Sequence, residues 1–163
     1  MPALYFYPYV AVLGLIFGSF LNVVIHRLPL GRSIVLPRSR CPYCDGDIRF
    51  LHNIPVLSFL VLRGRCGRCG APISWRYPLI ELTTAALFVA CLARFGVTIE
   101  AAIGALFCLL MLALAMIDAD HYLLPDKITL PGIILGLALQ PWLPRTSFLE
   151  AVAGTLVGAG GLI

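Results

Sequence analysis

The sequence predicts an all-α polytopic membrane protein with a small four-cysteine insert on the cytosolic side. Three observations lead there. Of the 163 residues, 60% are hydrophobic and only 12% are charged, whereas a soluble domain carries about 25% charged residues. Too little charge is left for a water-facing surface, so lipid must cover part of the chain. Second, five apolar stretches alternate with polar segments. Third, nine of the twelve basic residues fall between Arg27 and Arg76. A basic loop between apolar spans follows the positive-inside rule and places that loop in the cytosol. It fits a membrane topology better than a nucleic-acid partner, and none is expected.

The elements follow in chain order. A transmembrane helix needs about 20 apolar residues, and residues 4–25 supply them. Nothing basic precedes this stretch and no small-x-small site closes it. It therefore reads as a retained span rather than a signal peptide. Residues 1–26 form the first membrane helix and residues 27–76, rich in Pro, Gly, Cys and Arg, the cytosolic loop. Residues 77–163 form a helical membrane domain with spans at about 78–95, 101–117, 128–143 and 148–163. The segments 96–100 and 144–147 are turns, and Ser147 is a candidate cap ahead of Glu150. With the basic loop inside, the N-terminus lies outside and successive spans alternate. Asp118 to Lys127 then sits at the cytosolic face. The sequence stops within an apolar helix, which predicts a C-terminally truncated chain. No internal repeat or low-complexity tract is visible.

Cys41-Pro-Tyr-Cys44 and Cys66-Gly-Arg-Cys69 are two C-x-x-C pairs separated by twenty-one residues. Each pair can place two thiolates on one tetrahedral ion, and two pairs complete a closed shell. The spacing lies just beyond the usual window of roughly 15–20 residues. Gly46, Gly64, Gly67 and Gly70 suit the tight turns such a site needs, and nearby arginines favour thiolates. The expectation is a structural zinc site. Paired motifs in a cytosolic loop argue against redox chemistry. A closed shell leaves no open position, so the metal is a fold staple rather than a catalyst. Cys91 and Cys108 lie within spans and read as packing residues.

Asp118-x-Asp120, with Asp126 six residues on, follows an uninterrupted apolar run. Ionisable groups at that depth are costly and usually functional. Aspartyl proteolysis needs two carboxylates that share one water, one ionised and one protonated. The plainer reading is that these groups solvate a helix end and that Asp126, after a proline, caps the next helix. Glu81, one turn inside the second span, is either a buried functional acid or a side chain that snorkels to the interface.

Several segments carry a resemblance. Gly18-Ser-Phe-Leu-Asn-Val-Val-Ile-His-Arg-Leu-Pro29, Cys41-Pro-Tyr-Cys44 and His52-Asn-Ile-Pro-Val-Leu-Ser58 occur in that order. Leu62-Arg-Gly-Arg-Cys66 with Cys69, Ile73-Ser-Trp-Arg-Tyr-Pro-Leu-Ile-Glu81 and Met116-Ile-Asp118-Ala-Asp-His-Tyr-Leu-Leu-Pro-Asp126 follow. Together they resemble the type IV prepilin peptidases over nearly the whole chain. The resemblance implies a bacterial inner-membrane aspartic endopeptidase. It would cleave the leader of type IV prepilins or type II secretion pseudopilins and then N-methylate the new N-terminus with S-adenosyl-L-methionine. It implies Asp118 as the first catalytic aspartate, with Asp120 and Asp126 in the supporting motif. It associates Gly64 and Glu81 with methyl transfer. The family's second aspartate lies in a G-x-G-D motif, whereas Gly158-Ala-Gly160-Gly161 offers none. The expectation is therefore a fragment inactive in cleavage. The alternatives are a methyltransferase-only remnant or a non-catalytic membrane adaptor whose zinc loop docks a partner.

Overall fold

The computed structural model describes residues 2–36, 39–41, 43–48, 53–143 and 147–160. The turn at 144–146, the start of the His52 motif and Gly161 lie outside the described residues. The long apolar runs become helices because a helix satisfies every backbone polar group internally, as lipid demands. After a 3-10 turn at Pro2–Tyr5, α1 is Phe6–Arg27. A short α2, Leu57–Val61, lies within the insert. The remaining helices are α3 (Arg76–Phe95), α4 (Ile99–His121), α5 (Asp126–Leu139) and α6 (Phe148–Gly160). No strand occurs among the described residues, only two isolated bridges within the insert.

The helix boundaries have local causes. Gly96, at φ 70°, ends α3, and the Thr98 hydroxyl accepts from the Ala101 N–H to start α4. Ser147 and Glu150 form a reciprocal capping box. The Ser147 N–H donates to Glu150 Oε2 at 2.8 Å, and the Glu150 N–H to the Ser147 hydroxyl at 3.3 Å. Asp126 is not the cap considered for it. Pro125 holds that position in extended backbone and Asp126 is the first helical residue, its charge favourable at the positive helix end.

Helices α1, α3 and α4 are long and apolar enough to cross a membrane, and this is an integral membrane protein. Helix α5 is different. Its 14 residues, at about 1.5 Å each, reach about 21 Å against a hydrocarbon core of about 30 Å. A 3-10 turn at Gln140–Trp142 extends it, and α5 itself buries no residue. The predicted span at 128–143 is therefore a shorter helix that begins two residues earlier and tightens at its end.

The core lies where α1 and α3 cross. Gly14, Gly18, Leu21, Asn22 and Ile25 form the buried stripe of α1. A Cβ on Gly14 would stand 2.5 Å from the Ala85 Cα, and one on Gly18 would stand 2.7 Å from the Glu81 Cα. The two backbones thus touch through small residues. This close approach substitutes for the hydrophobic drive that lipid removes. Leu21 and Ile25 continue into a cluster with Ile80, Ala113 and the fully buried Ile117. The opposite faces expose Leu13, Ile16, Leu82 and Phe107, as lipid-facing surfaces should.

At one end of the bundle the elements interlock. The Asn22 amide donates to the Tyr77 carbonyl at 3.2 Å. Arg76, opening α3, makes a bidentate pair with Asp120 near the end of α4, at 2.6 and 2.7 Å. The insert and the aspartate segment therefore share one end of the bundle, as the alternating topology predicts.

Candidate metal centre and active site

The insert brings its four cysteines together. One Sγ from each of Cys41, Cys44, Cys66 and Cys69 lies within 4.8 Å of the others, and Cys41 Sγ to Cys69 Sγ is 3.8 Å. A tetrahedral ion with metal–sulfur bonds near 2.3 Å requires sulfurs about 3.8 Å apart. The donor set fits a zinc-type ion, and among the described residues no His, Asp or Glu joins it.

The two halves of the knuckle are built alike. The Cys41 N–H donates to the Gly46 carbonyl and the Cys66 N–H to the Ala71 carbonyl. Asp45 N–H returns to the Cys41 carbonyl as Gly70 N–H does to Cys66. Arg40 bridges Asp47 as Arg65 bridges Pro72, and Ile48 and Ile73 close the turns onto Ser39 and Gly64. This is a local structural repeat that the sequence reading did not see. Around these turns positive φ is found at Asp45 (φ 48°), Arg63 (φ 51°), Gly64 (φ 67°) and Gly70 (φ 73°), and not at Gly46 or Gly67. Asp45 tolerates the conformation because its side chain is short and polar. Gly46 serves a different purpose. Its missing Cβ makes room for the Arg68 side chain, 2.5 Å from where that atom would stand.

The thiols are electrically unequal. Backbone N–H groups of Cys69 and Arg68 donate to the Cys66 sulfur and lower its pKa to about 6. The Ala71 N–H acts the same way on Cys69, but desolvation and the neighbouring sulfurs outweigh it and raise Cys69 to about 11. One thiolate thus forms readily, and crowding holds protons on its neighbour until a cation arrives.

The aspartates part company. Asp120 is committed to Arg76, whose guanidinium also donates to the Met116 carbonyl at 3.3 Å. Asp118, two residues earlier and so on nearly the opposite side of α4, is exposed and has no ion-pair or hydrogen-bond partner for its carboxylate among the described residues. Asp126 is exposed at the start of α5. Glu81 does not snorkel. It is 7% exposed and accepts the Val56 N–H at 2.7 Å.

That bond pins an unusual turn. Val56 has φ 60° and ψ −49°, and the Leu57 N–H bonds back to the Pro55 carbonyl. This is a γ-turn of the rare, strained hand, here at a β-branched residue. The Phe59 ring behind it packs edge-on against Trp75 at 4.6 Å. Gly64 is needed beside it, since an added Cβ would meet Phe59 at 3.1 Å. Between the knuckle and the α1–α3 end lies a cavity of about 690 Å³, lined among others by Ser19, Asn22, Val56, Tyr77 and Glu81. Ser19, Asn22 and Val56 were not singled out from sequence, although Asn22, a polar residue midway along an apolar run, was a visible signal.

Two family models match. Residues 12–95 match the bacterial peptidase A24 N-terminal domain, and residues 105–163 match the type IV leader peptidase family. A prepilin leader peptidase/N-methyltransferase of Myxococcus xanthus is 52% identical over 94% of this chain and 46% of its own length. Proteins of the same name from Stutzerimonas stutzeri and Klebsiella pneumoniae are 42% and 46% identical. They are matched over 90% and 89% of this chain, and over 59% and 66% of their own lengths. The chain spans roughly half to two thirds of the length of these relatives. No solved structure matches. With both halves of the chain matched in order, and the cysteine knuckle and Asp118 in place at one end of the bundle, the chain belongs to the type IV leader peptidase family.

Proposed function

We propose that this chain forms the N-terminal part of a prepilin leader peptidase/N-methyltransferase of the bacterial inner membrane. Its N-terminus lies outside, and the knuckle and Asp118 lie at the cytosolic face. The observation that carries this reading is the contrast within Asp118-x-Asp120. Asp120 is locked to Arg76, while Asp118 stands free at the end of the bundle that bears the knuckle.

In this reading Asp118 is one of two carboxylates that share a water. The ionised member takes a proton from the water as its oxygen bonds to the scissile carbonyl carbon. The protonated member hydrogen-bonds the carbonyl oxygen, and the carbon–nitrogen bond breaks as the amine gains a proton. No G-x-G-D occurs within these 163 residues, so the second carboxylate is assigned to residues outside this sequence, and these residues alone would not cleave. Cys41, Cys44, Cys66 and Cys69 would hold a structural zinc. Methylation of the new N-terminus would draw on S-adenosyl-L-methionine, which supplies an electrophilic methyl group when bound. The substrates would be type IV prepilins or type II secretion pseudopilins.

The test uses the full-length enzyme in membranes with a prepilin substrate. Asp118→Asn should abolish leader cleavage and leave the zinc content unchanged. Asp120→Asn should retain measurable cleavage, since its carboxylate positions helices rather than water. Cleavage retained by Asp118→Asn would overturn the assignment.

A further inference from the structure

The cavity under the knuckle has one feature that packing does not explain. Its floor holds a carboxylate, Glu81, at 7% exposure. A buried charge is costly unless it is paired. Yet the described residues offer Glu81 no cation, and none of their ion pairs includes it. Its hydrogen bonds come from neutral donors, the Ser19 hydroxyl and the Val56 amide that pins the turn. A glutamine could accept the Val56 bond equally well, so holding the turn does not require a negative charge. The backbone of Glu81 is fixed in place, its Cα pressed against Gly18.

The cavity is also lined by Arg27, which donates to the Ser33 carbonyl, and by His26, Arg40, Asp47 and Arg68. Arg40 is engaged by Asp45 and Asp47, and the exposed Arg68 lies across Gly46 at the knuckle. At about 690 Å³, the space matches pockets of roughly 300–1,000 Å³ that enclose ligands of cofactor size.

We propose that this cavity is an organic-cation site in which the Glu81 carboxylate is the counter-charge to either a methyl donor's sulfonium or the free α-ammonium of a cleaved pilin. This rests on the peptidase/methyltransferase reading above and adds to it where the positive centre sits. The rigid α1–α3 floor supplies the charge, and the knuckle supplies the roof. Neutral relatives of either ligand lose the pairing while keeping nearly the same shape.

The test is binding to the full-length enzyme in lipid nanodiscs, with prepilin cleavage measured on the same preparation. One arm compares S-adenosylmethionine with S-adenosylhomocysteine, which lacks the positive sulfur. The other compares a mature pilin N-terminal peptide bearing a free amine with its acetylated form. In at least one arm the cation should bind about ten-fold or more tighter, as expected for a desolvated charged hydrogen bond. The arm that discriminates identifies the source of the cation. Glu81→Gln should erase the preference, and Glu81→Asp, which keeps the charge, should retain it. Equal affinities in both arms of a wild type that cleaves would overturn this inference alone. An unaltered preference in Glu81→Gln with its zinc retained would overturn it too. A full-length wild type unable to cleave would instead sink the functional reading on which the inference rests.

Discussion

The bundle and the knuckle solve the same problem with different physics. In the bundle, lipid cancels the hydrophobic drive between helices, and α1 and α3 are joined by backbone approach through Gly14 and Gly18. The knuckle has two short turns and a five-residue helix, and among its described residues Phe59 and Cys41 are the buried apolar ones. It is too small to bury a core, so four thiols must do that work through an ion. The bundle is held by shape and the knuckle by chemistry. They meet at Glu81, which is packed against Gly18 from one side and bonded to the insert's Val56 from the other.

The largest effect should come from breaking the knuckle's chemistry. Cys66→Ser removes one of four ligands from a site whose closed form is worth about 10–16 kcal/mol in small zinc-binding peptides. Metal content should fall from one per chain to near zero, measured on the purified protein, while helicity by circular dichroism stays close to wild type. A full metal complement in Cys66→Ser would refute the four-thiolate centre.

Acidity should act on the same region with a defined sign. Cys66 titrates at about 6 and Cys69 at about 11. Between those values the ion must displace the Cys69 proton. Below about 6 it must displace the Cys66 proton as well. Affinity should therefore fall as pH falls, and more steeply below that point. Zinc titration with proton-release measurement checks this, and a pH-independent affinity would contradict it.

The bundle should break through shape instead. Gly14→Leu forces a Cβ to within 2.5 Å of the Ala85 backbone, which cannot rotate away. A loss of roughly 3 kcal/mol is expected, at the upper end of overpacking costs. It would be read as a lower melting temperature in detergent with the metal still bound. Wild-type stability in this variant would remove the small-residue seam from the explanation. The smallest effect belongs to Arg76→Ala. The Arg76–Asp120 pair is about one third exposed on each side, so its loss should cost about 1 kcal/mol or less, and a larger melting shift would mean that the pair anchors more than the helix ends.

How much of this was readable beforehand follows the same division. The spans α1, α3 and α4 were visible because lipid imposes a length and a composition that local residues must meet. The metal centre was visible because ligand spacing is local within each C-x-x-C. The knuckle's repeat was partly legible, since Arg40, Cys41, Cys44 and Ile48 recur as Arg65, Cys66, Cys69 and Ile73; the rest was hidden because Asp45 answers Gly70, Gly46 answers Ala71 and Asp47 answers Pro72, which share a backbone shape and not residue types. The seam was signalled by Gly14-x-x-x-Gly18, a pattern that could have been used. The contact between Glu81 and Val56 could not have been read. It depends on a strained turn whose partner lies twenty-five residues away, and spacing carries no information about it. Nor could spacing show which aspartate is tied down, since Asp120 is committed by an arginine forty-four residues earlier.

Hydrogen exchange on the full-length protein before and after chelation tests the separation of bundle and knuckle most directly. With metal removed, the knuckle amides of Cys41, Asp45, Ile48, Cys66, Gly70 and Ile73, all hydrogen-bonded in the folded turns, should lose their protection. The amides along the buried stripes of α1 and α3 should exchange as slowly as before. Simultaneous loss of protection in both regions, or in neither, would contradict a bundle held by packing and a knuckle held by its ion.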